Sequence, residues 1–390
     1  MAHYALTGGF YIRDAPLPEE TARQLDLRYS HEYSRTGTSR VASFLQQRKI
    51  NKVVRQLMLR IVEHKGIRLS SVGIGTWTIG GPYWTNGEPT GWSGPLDDED
   101  SICGLTFALE HGINHIDTAD VYGHGRSERL VGKALSSAKT AAVVASKVGF
   151  LPTSAPSVYS PENIRFQCEQ SLRNLGRDTI DLYYLHHCDF GPGDRFLDGA
   201  VSVLNELKRV GKIRSICLSG YSAGDLIRIS KKLLPDFIQS WASFEHPEFI
   251  VPGGPLSAFM KESGIRFIAM MPFGQGRLLG KHNGQSPLTF GPGDTRSTNA
   301  EFSTTSLEAI EPKMALLRER FGQSPSDLIA PALGFILSHD VVASVVPGFR
   351  SSQQVREIYQ AVQRPVSPED LHYMAQLFPY SETNKHPWQE

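Results

Sequence analysis

Residues 112–135 read GINHIDTADVYGHGRSERLVGKAL. The apolar run through Ile116 ends in an acid, Asp117, and the Gly-rich turn that follows carries Tyr122. Two later strand-like runs also end in a titratable group: AAVVASK closes on Lys147 and IDLYYLH closes on His186. Asp, Tyr, Lys and His at the ends of three consecutive predicted strands form a proton-transfer set. A tyrosine hydroxyl is a poor acid at neutral pH, with an ordinary pKa of about 10. An ammonium group beside it favours the phenolate and lowers that value. A carboxylate keeps the ammonium charged and in place, and a histidine relays a proton or orients a carbonyl oxygen. Together they suit Tyr122 to protonate a carbonyl oxygen while hydride reaches its carbon, or the reverse oxidation of an alcohol. Singly, each has a plainer reading: Asp117 as a turn residue, Lys147 as a solvated strand end, Tyr122 as packing, His186 as a core histidine with His187 beside it. Their joint order is what carries the chemistry.

Outward from this stretch the punctuation is regular. Predicted strands are Val72–Trp77, His115–Ala119, Ala142–Val148, Ile180–His187, Ile213–Ser219, Phe237–Ala242, Arg266–Met271 and Ser344–Pro347. Between them lie helix-period segments such as Asp98–Glu110, Pro161–Leu175, Asp198–Val210 and Ala223–Leu233. Ser160-Pro161 and Ser324-Pro325 supply helix starts, with proline at the first helical position. Eight strands each followed by a helix predict an α/β fold, a (β/α)₈ TIM barrel over residues 59–380. A doubly wound open sheet is the competitor, weakened because no GxGxxG follows any strand. Residues 1–58 read as a separate N-terminal extension. It is irregular at first and helix-like over Ser39–Val62, where Arg48, Lys49, Lys52, Arg55 and Arg60 form a basic face. Residues 381–390 read as a tail. Gly80–Leu96 and Gly274–Thr305 lack periodicity and are long enough to be lids or binding loops.

A formal net charge of +0 over 390 residues gives no reason to expect nucleic acid or an anionic membrane as partner. No apolar stretch is long enough to span a bilayer, and the N-terminus lacks a secretory pattern. Cys103, Cys168, Cys188 and Cys217 are scattered, forming neither a metal pair nor a disulfide framework. A cytoplasmic, metal-free monomer or small homo-oligomer acting on a small molecule is the expectation.

From about Glu63 to Pro379 the chain resembles the aldo-keto reductase superfamily. HIDTADVYGHGRSERLVGKAL carries most of the resemblance, joined by SKVG at Lys147, IDLYYLHHCD at His186 and VVPGFRSSQQVRE near the C-terminus. LSSVGIGTW, with Thr76 and Trp77, resembles the family's first barrel strand, and KGIRL part of a hairpin plugging the barrel bottom. The resemblance implies that Asp117, Tyr122, Lys147 and His186 are the catalytic tetrad, and that NADPH or NADP⁺ lies across the barrel mouth. Thr76, Trp77 and Asp117 would border the cofactor. Ser219 and Gln239 would hold the nicotinamide carboxamide, and Pro272, Phe273, Gly274 and Gly276 the pyrophosphate. Gly348, Arg350, Gln354 and Glu357 would hold the adenosine end. A guanidinium at Arg350 suits a 2′-phosphate, favouring NADPH over NADH. Departures from the family pattern are Gly220 after Ser219, Met270-Met271 before Pro272, Ile358, and the sequence that follows Gln239. The expected substrate pocket takes Trp84, Trp92, His187 and Trp241, beside Tyr83. Aromatic walls suit apolar or aromatic carbonyls and also stack on sugar faces. The implied activity is NADPH-dependent reduction of an aldehyde or ketone. The alternatives are a sugar or secondary-alcohol dehydrogenase and a non-catalytic NADPH-sensing subunit.

Overall fold

A computed structural model describes residues 59–85, 87–138, 140–151, 153–282 and 288–380. The N-terminal extension and the tail lie outside these residues, and so does nearly all of the helical reading of Ser39–Val62. At the end of that stretch the reading is corrected, because Ile61 and Val62 belong to a strand. Strands β1 (Ile61–His64) and β2 (Ile67–Ser70) form an antiparallel hairpin. Then come β3 (Ile74–Gly75) and a small outer hairpin of β4 (Trp84–Thr85) and β5 (Glu88–Pro89). From α1 (Asp98–Glu110) the chain alternates: β6 (His115–Asp117), α2 (Arg126–Ser137), β7 (Val143–Val148), α3 (Pro161–Leu175), β8 (Ile180–Leu185), α4 (Leu197–Arg209), β9 (Ile213–Ser219), α5 (Ala223–Leu233), β10 (Phe237–Trp241), α6 (Pro255–Ser263) and β11 (Arg266–Met270). The remainder is α7 (Thr304–Phe321), α8 (Ile329–Leu337), β12 (Val342–Val346), α9 (Ser352–Ala361) and α10 (Pro368–Leu377).

The eight strands β3 and β6 to β12 pair in parallel in chain order. The ring closes between its ends: Gly73 N donates to Val345 O at 2.8 Å, Val345 N to Ser71 O at 3.0 Å and Gly75 N to Pro347 O at 2.9 Å. This is the (β/α)₈ barrel. Its two end strands differ from the expected bounds. Trp77 has left the extended region (φ −56°, ψ −45°) to open a 3₁₀ turn over Thr78–Gly80, and the last strand starts two residues before Ser344 and stops at Val346.

Strand side chains alternate in direction, and this alternation sorts the interior into layers. Val143, Ala145, Leu182, Tyr184, Cys217, Phe237 and Ile268 pack with Ile67 and Leu69 of the hairpin, which seals the lower end. Two residues further along the same faces stand Lys147, His186, Ser219, Gln239 and Met270, at the mouth. Burial of Ile67 and Leu69, both nearly fully enclosed, contributes about 1.5–3 kcal/mol each. The opposite strand faces, with Val144, Tyr183, Leu218 and Ile238, pack under the helices. Across the mouth the two aperiodic stretches are tied together, Gly91 N donating to Gly293 O at 3.0 Å and Thr295 N to Gly91 O at 3.1 Å. Among the described residues no helix is long and apolar enough to cross a membrane.

Candidate active site

Asp117, Tyr122, Lys147 and His186 meet at the barrel mouth. Lys147 Nζ donates to Asp117 Oδ1 at 2.6 Å, to Thr118 O at 2.8 Å and to Tyr122 Oη at 3.4 Å. The lysine and the aspartate are almost fully enclosed. Asp117 Oδ2 accepts from Gln239 Nε2 at 2.8 Å. The His186 ring packs edge-on to Tyr122, with centroids 6.0 Å apart, and against Phe150 at 4.6 Å.

The turn carrying Tyr122 is built backbone against backbone. Gly123 has φ +58°, and a Cβ there would lie 2.2 Å from Gly80 O; a Cβ on Gly80 would lie 2.9 Å from the Tyr122 carbonyl carbon. Only glycine fits either place. Ser127 and Glu128, at the start of α2, fasten the turn to the strands. Ser127 Oγ donates to Thr76 Oγ1 at 2.7 Å, while Glu128 accepts from Ser146 Oγ at 2.6 Å and from Asn174 Nδ2 at 2.8 Å. The GHGRSE segment thus fastens the turn that carries Tyr122 to the barrel strands.

Burial sets the charge states. Desolvation, with the negative charge of Asp117 behind it, pushes the Tyr122 phenol well above its ordinary value. In the resting site burial outweighs the lowering expected from Lys147, and Tyr122 stands as a proton donor. Burial lowers Lys147 against the opposing pull of Asp117. Burial and the Lys147 charge hold His186 well below the usual imidazole range, so it is neutral at physiological pH.

Above the tetrad opens a cavity of about 640 Å³. Asp117, Tyr122, His186, Trp77, Trp92, Trp241, Pro272, Phe273, Gly276, Gly348, Arg350, Gln354 and Glu357 line it, as anticipated, and so does Tyr83. Other named residues stand elsewhere. Trp84 is 48% exposed and faces a shallow cleft beside Pro82 and His124. It is carried outward by the β4–β5 hairpin. His187 is turned sideways, with Nε2 2.8 Å from Gly149 O and its ring on Tyr159. Thr76 lies behind the wall, its hydroxyl donating to Asp117 O at 2.9 Å. Lys147, Ser219, Gln239 and Gly274 are buried beneath the lining. Sequence reasoning missed Phe150, Tyr221, Glu88, Lys281 and Arg296, all of which line the cavity. Lys281 and Arg296 fall within the aperiodic stretch already suspected as a lid, where a basic residue was the available signal.

The site has two ends of different chemistry. At the floor, Ser219 Oγ and Gln239 Oε1 are buried without a partner among the described residues. At the other end, Arg350 and Lys281 are close enough for each to suffer from a neighbouring cation, Arg296 for the former and Arg350 for the latter, on top of their burial. Met270 and Ile358 line the cavity between. The turn Gly274–Leu279 is clasped from outside, since the buried Arg277 pairs with Glu245 and with Glu301, the latter at 3.0 Å.

Residues 71–378 match the model of the aldo/keto reductase family. The NADH-specific methylglyoxal reductase of Escherichia coli is 29% identical over 324 residues, covering 80% of this chain and 95% of the relative. L-galactose dehydrogenase of Arabidopsis thaliana is 26% identical over 313 residues, covering 79% and 88%. Among solved structures, glycerol dehydrogenase of Gluconobacter oxydans superposes with a TM-score of 0.65 at 26% identity, covering 83% of this chain and 98% of its own. An aldo-keto reductase of Bacillus halodurans in its holo form gives 0.62 at 25% identity, covering 85% and 100%.

Proposed function

The chain belongs to the aldo/keto reductase family of oxidoreductases, and on that premise we propose that it reduces an aldehyde or ketone with NADPH, using Tyr122 as the general acid. The observation that carries this reading is the Tyr122 hydroxyl at the cavity floor, 3.4 Å from an ammonium that is itself locked to Asp117. When bound, the reduced nicotinamide supplies hydride to the carbonyl carbon. Tyr122 holds the proton that the carbonyl oxygen takes. Lys147 stabilises the phenolate left behind, and Asp117 keeps Lys147 in place. Neutral His186 orients the carbonyl oxygen without competing for the proton. Aromatic walls from Trp77, Phe150, Tyr221 and Trp241 exclude water from the exchange.

The chain's residues fit the cofactor. The unpartnered Ser219 Oγ and Gln239 Oε1 offer a hydroxyl and an acceptor to the nicotinamide carboxamide. Pro272, Phe273, Gly274 and Gly276 would follow the pyrophosphate, Arg350 and Lys281 the 2′-phosphate, and Gly348, Gln354 and Glu357 the adenosine. The two basic groups favour NADPH here, although the Escherichia coli relative is named as NADH-specific. Glu88 at the cavity edge disfavours carboxylate-bearing substrates, so neutral aromatic or apolar carbonyls are the preferred class. Two relatives are named as dehydrogenases; the same four residues serve that direction by reversal, with an alcohol as substrate. The complete tetrad speaks against a purely sensing subunit. The test is NADPH oxidation with benzaldehyde and with 4-carboxybenzaldehyde. Turnover of the first above the second supports the reading, and no turnover of any carbonyl or alcohol overturns it.

A further inference from the structure

Asp117 accepts at both oxygens, from Lys147 Nζ at Oδ1 and from Gln239 Nε2 at Oδ2. An ionised carboxylate cannot donate, so the Gln239 amide is fixed with its nitrogen toward Asp117 and its oxygen turned away. That oxygen is buried and unpartnered among the described residues, as is Ser219 Oγ. Gln239 and Ser219 are directly paired across β10 and β9, so their side chains leave the sheet on one face. An amide engaged at oxygen becomes a stronger donor at nitrogen, because hydrogen bonds in a chain polarise one another.

We propose that Gln239 is a positioning residue that couples filling of the nicotinamide carboxamide site to the proton donor. A carboxamide N–H on Oε1 strengthens the Nε2–H bond to Asp117, which draws Asp117 charge away from Lys147 and Tyr122 and so favours release of the Tyr122 proton. The proposal rests on the NADPH reading above and goes beyond it. Holding the carboxamide needs only Oε1, whereas the coupling needs both ends of one amide. Ser219 is the internal control, because its hydroxyl reaches the same place and makes no bond to Asp117.

Several titratable groups face the proton donor. Tyr122 faces Asp117 and Asp120 from its own segment and Tyr83 and Tyr221 from the mouth loops. It also faces Lys147 from β7 and the His186 ring that follows β8. Lys147 faces Glu128 from α2 as well, and the Tyr184 ring from β8. Removing the Gln239 donor leaves more of the Asp117 charge for Lys147 and Tyr122, and a nearby negative charge raises the pKa of both.

The experiment compares wild type, Ser219→Ala and Gln239→Met. NADPH dissociation constants come from tryptophan fluorescence, and the alkaline limb of the single-turnover rate from stopped flow. Loss of one hydrogen bond predicts NADPH binding about 5–10-fold weaker in both variants. Only Gln239→Met is expected to move the alkaline limb, upward by roughly half a pH unit or more. Weaker binding with an unmoved limb in Gln239→Met, or equal movement in both variants, overturns the coupling and leaves the cofactor reading standing. No NADPH binding by wild type overturns both. Should Gln239→Met fail to fold, Gln239→Asn carries the same test, since its amide is one methylene too short to serve both partners.

Discussion

Replacing Lys147 by Met separates the stabilising role of the buried ion pair from its chemical role. In the wild type, Nζ lies 2.6 Å from Asp117 Oδ1, with side-chain exposures of 1% and 6%. Methionine has similar bulk and no charge, so Asp117 keeps only the Gln239 donor. Leaving one member of a buried pair uncompensated costs about 3–5 kcal/mol. At roughly 2–4 °C per kcal/mol for domains of a few hundred residues, the melting temperature falls by about 6–20 °C. Turnover falls as well, by roughly 10²–10⁴-fold, because the Tyr122 phenolate loses its neighbouring cation. The double variant Asp117→Asn/Lys147→Met removes both charges. It should regain most of the stability, since neutral replacement of a buried pair is often tolerated, while turnover stays low. The assay is thermal unfolding by circular dichroism at neutral pH, beside single-turnover NADPH oxidation. Lys147→Met unfolding with the wild type, or a double variant that loses as much stability as both single variants summed, refutes the reasoning.

Two further outcomes follow from the charges. His115, inside the barrel below the tetrad, is pushed down to about 4 by burial from an ordinary 6.5, with Nδ1 3.0 Å from Ser344 Oγ. Between these values the unfolded chain binds a proton that the folded chain refuses. Its contribution is therefore complete above about pH 6.5 and is lost as pH falls toward 4, by about 3 kcal/mol in all. His115→Gln should flatten that acid limb in urea midpoints measured against pH; an unchanged slope contradicts it. Arg350→Ala should weaken NADPH about 10–100-fold while leaving NADH nearly untouched, since one charge-assisted contact to a phosphate is lost. Equal loss for both cofactors in a fluorescence titration contradicts the 2′-phosphate assignment.

Most of the barrel and its tetrad are legible in the sequence because a doubly buried parallel strand reads as an apolar run. A charged residue ending such a run stands out. The choice between His186 and His187 was also present there: Leu182, Tyr184 and His186 alternate onto the inner face, and His187 does not. The loops carry no such period. Nothing local says that the β4–β5 hairpin turns Trp84 outward while Trp92 turns in, or that Lys281 and Arg296 come over the mouth. Tyr122 shows a second limit. Its charge neighbours were readable, but whether Lys147 or burial wins depends on how completely the turn is enclosed. The turn itself is closed by Gly80 and Gly123, which meet across 43 residues of chain.

The most direct test of Tyr122 as the proton donor is Tyr122→Phe, measured for NADPH affinity and for single-turnover reduction of the carbonyl that the wild type uses best. The variant removes one hydroxyl from the cavity floor and no contact that the basic end of the cavity makes. An unchanged dissociation constant with a rate about 10²–10⁴-fold lower is the predicted result. A variant that binds NADPH and reduces the carbonyl at the wild-type rate contradicts the account.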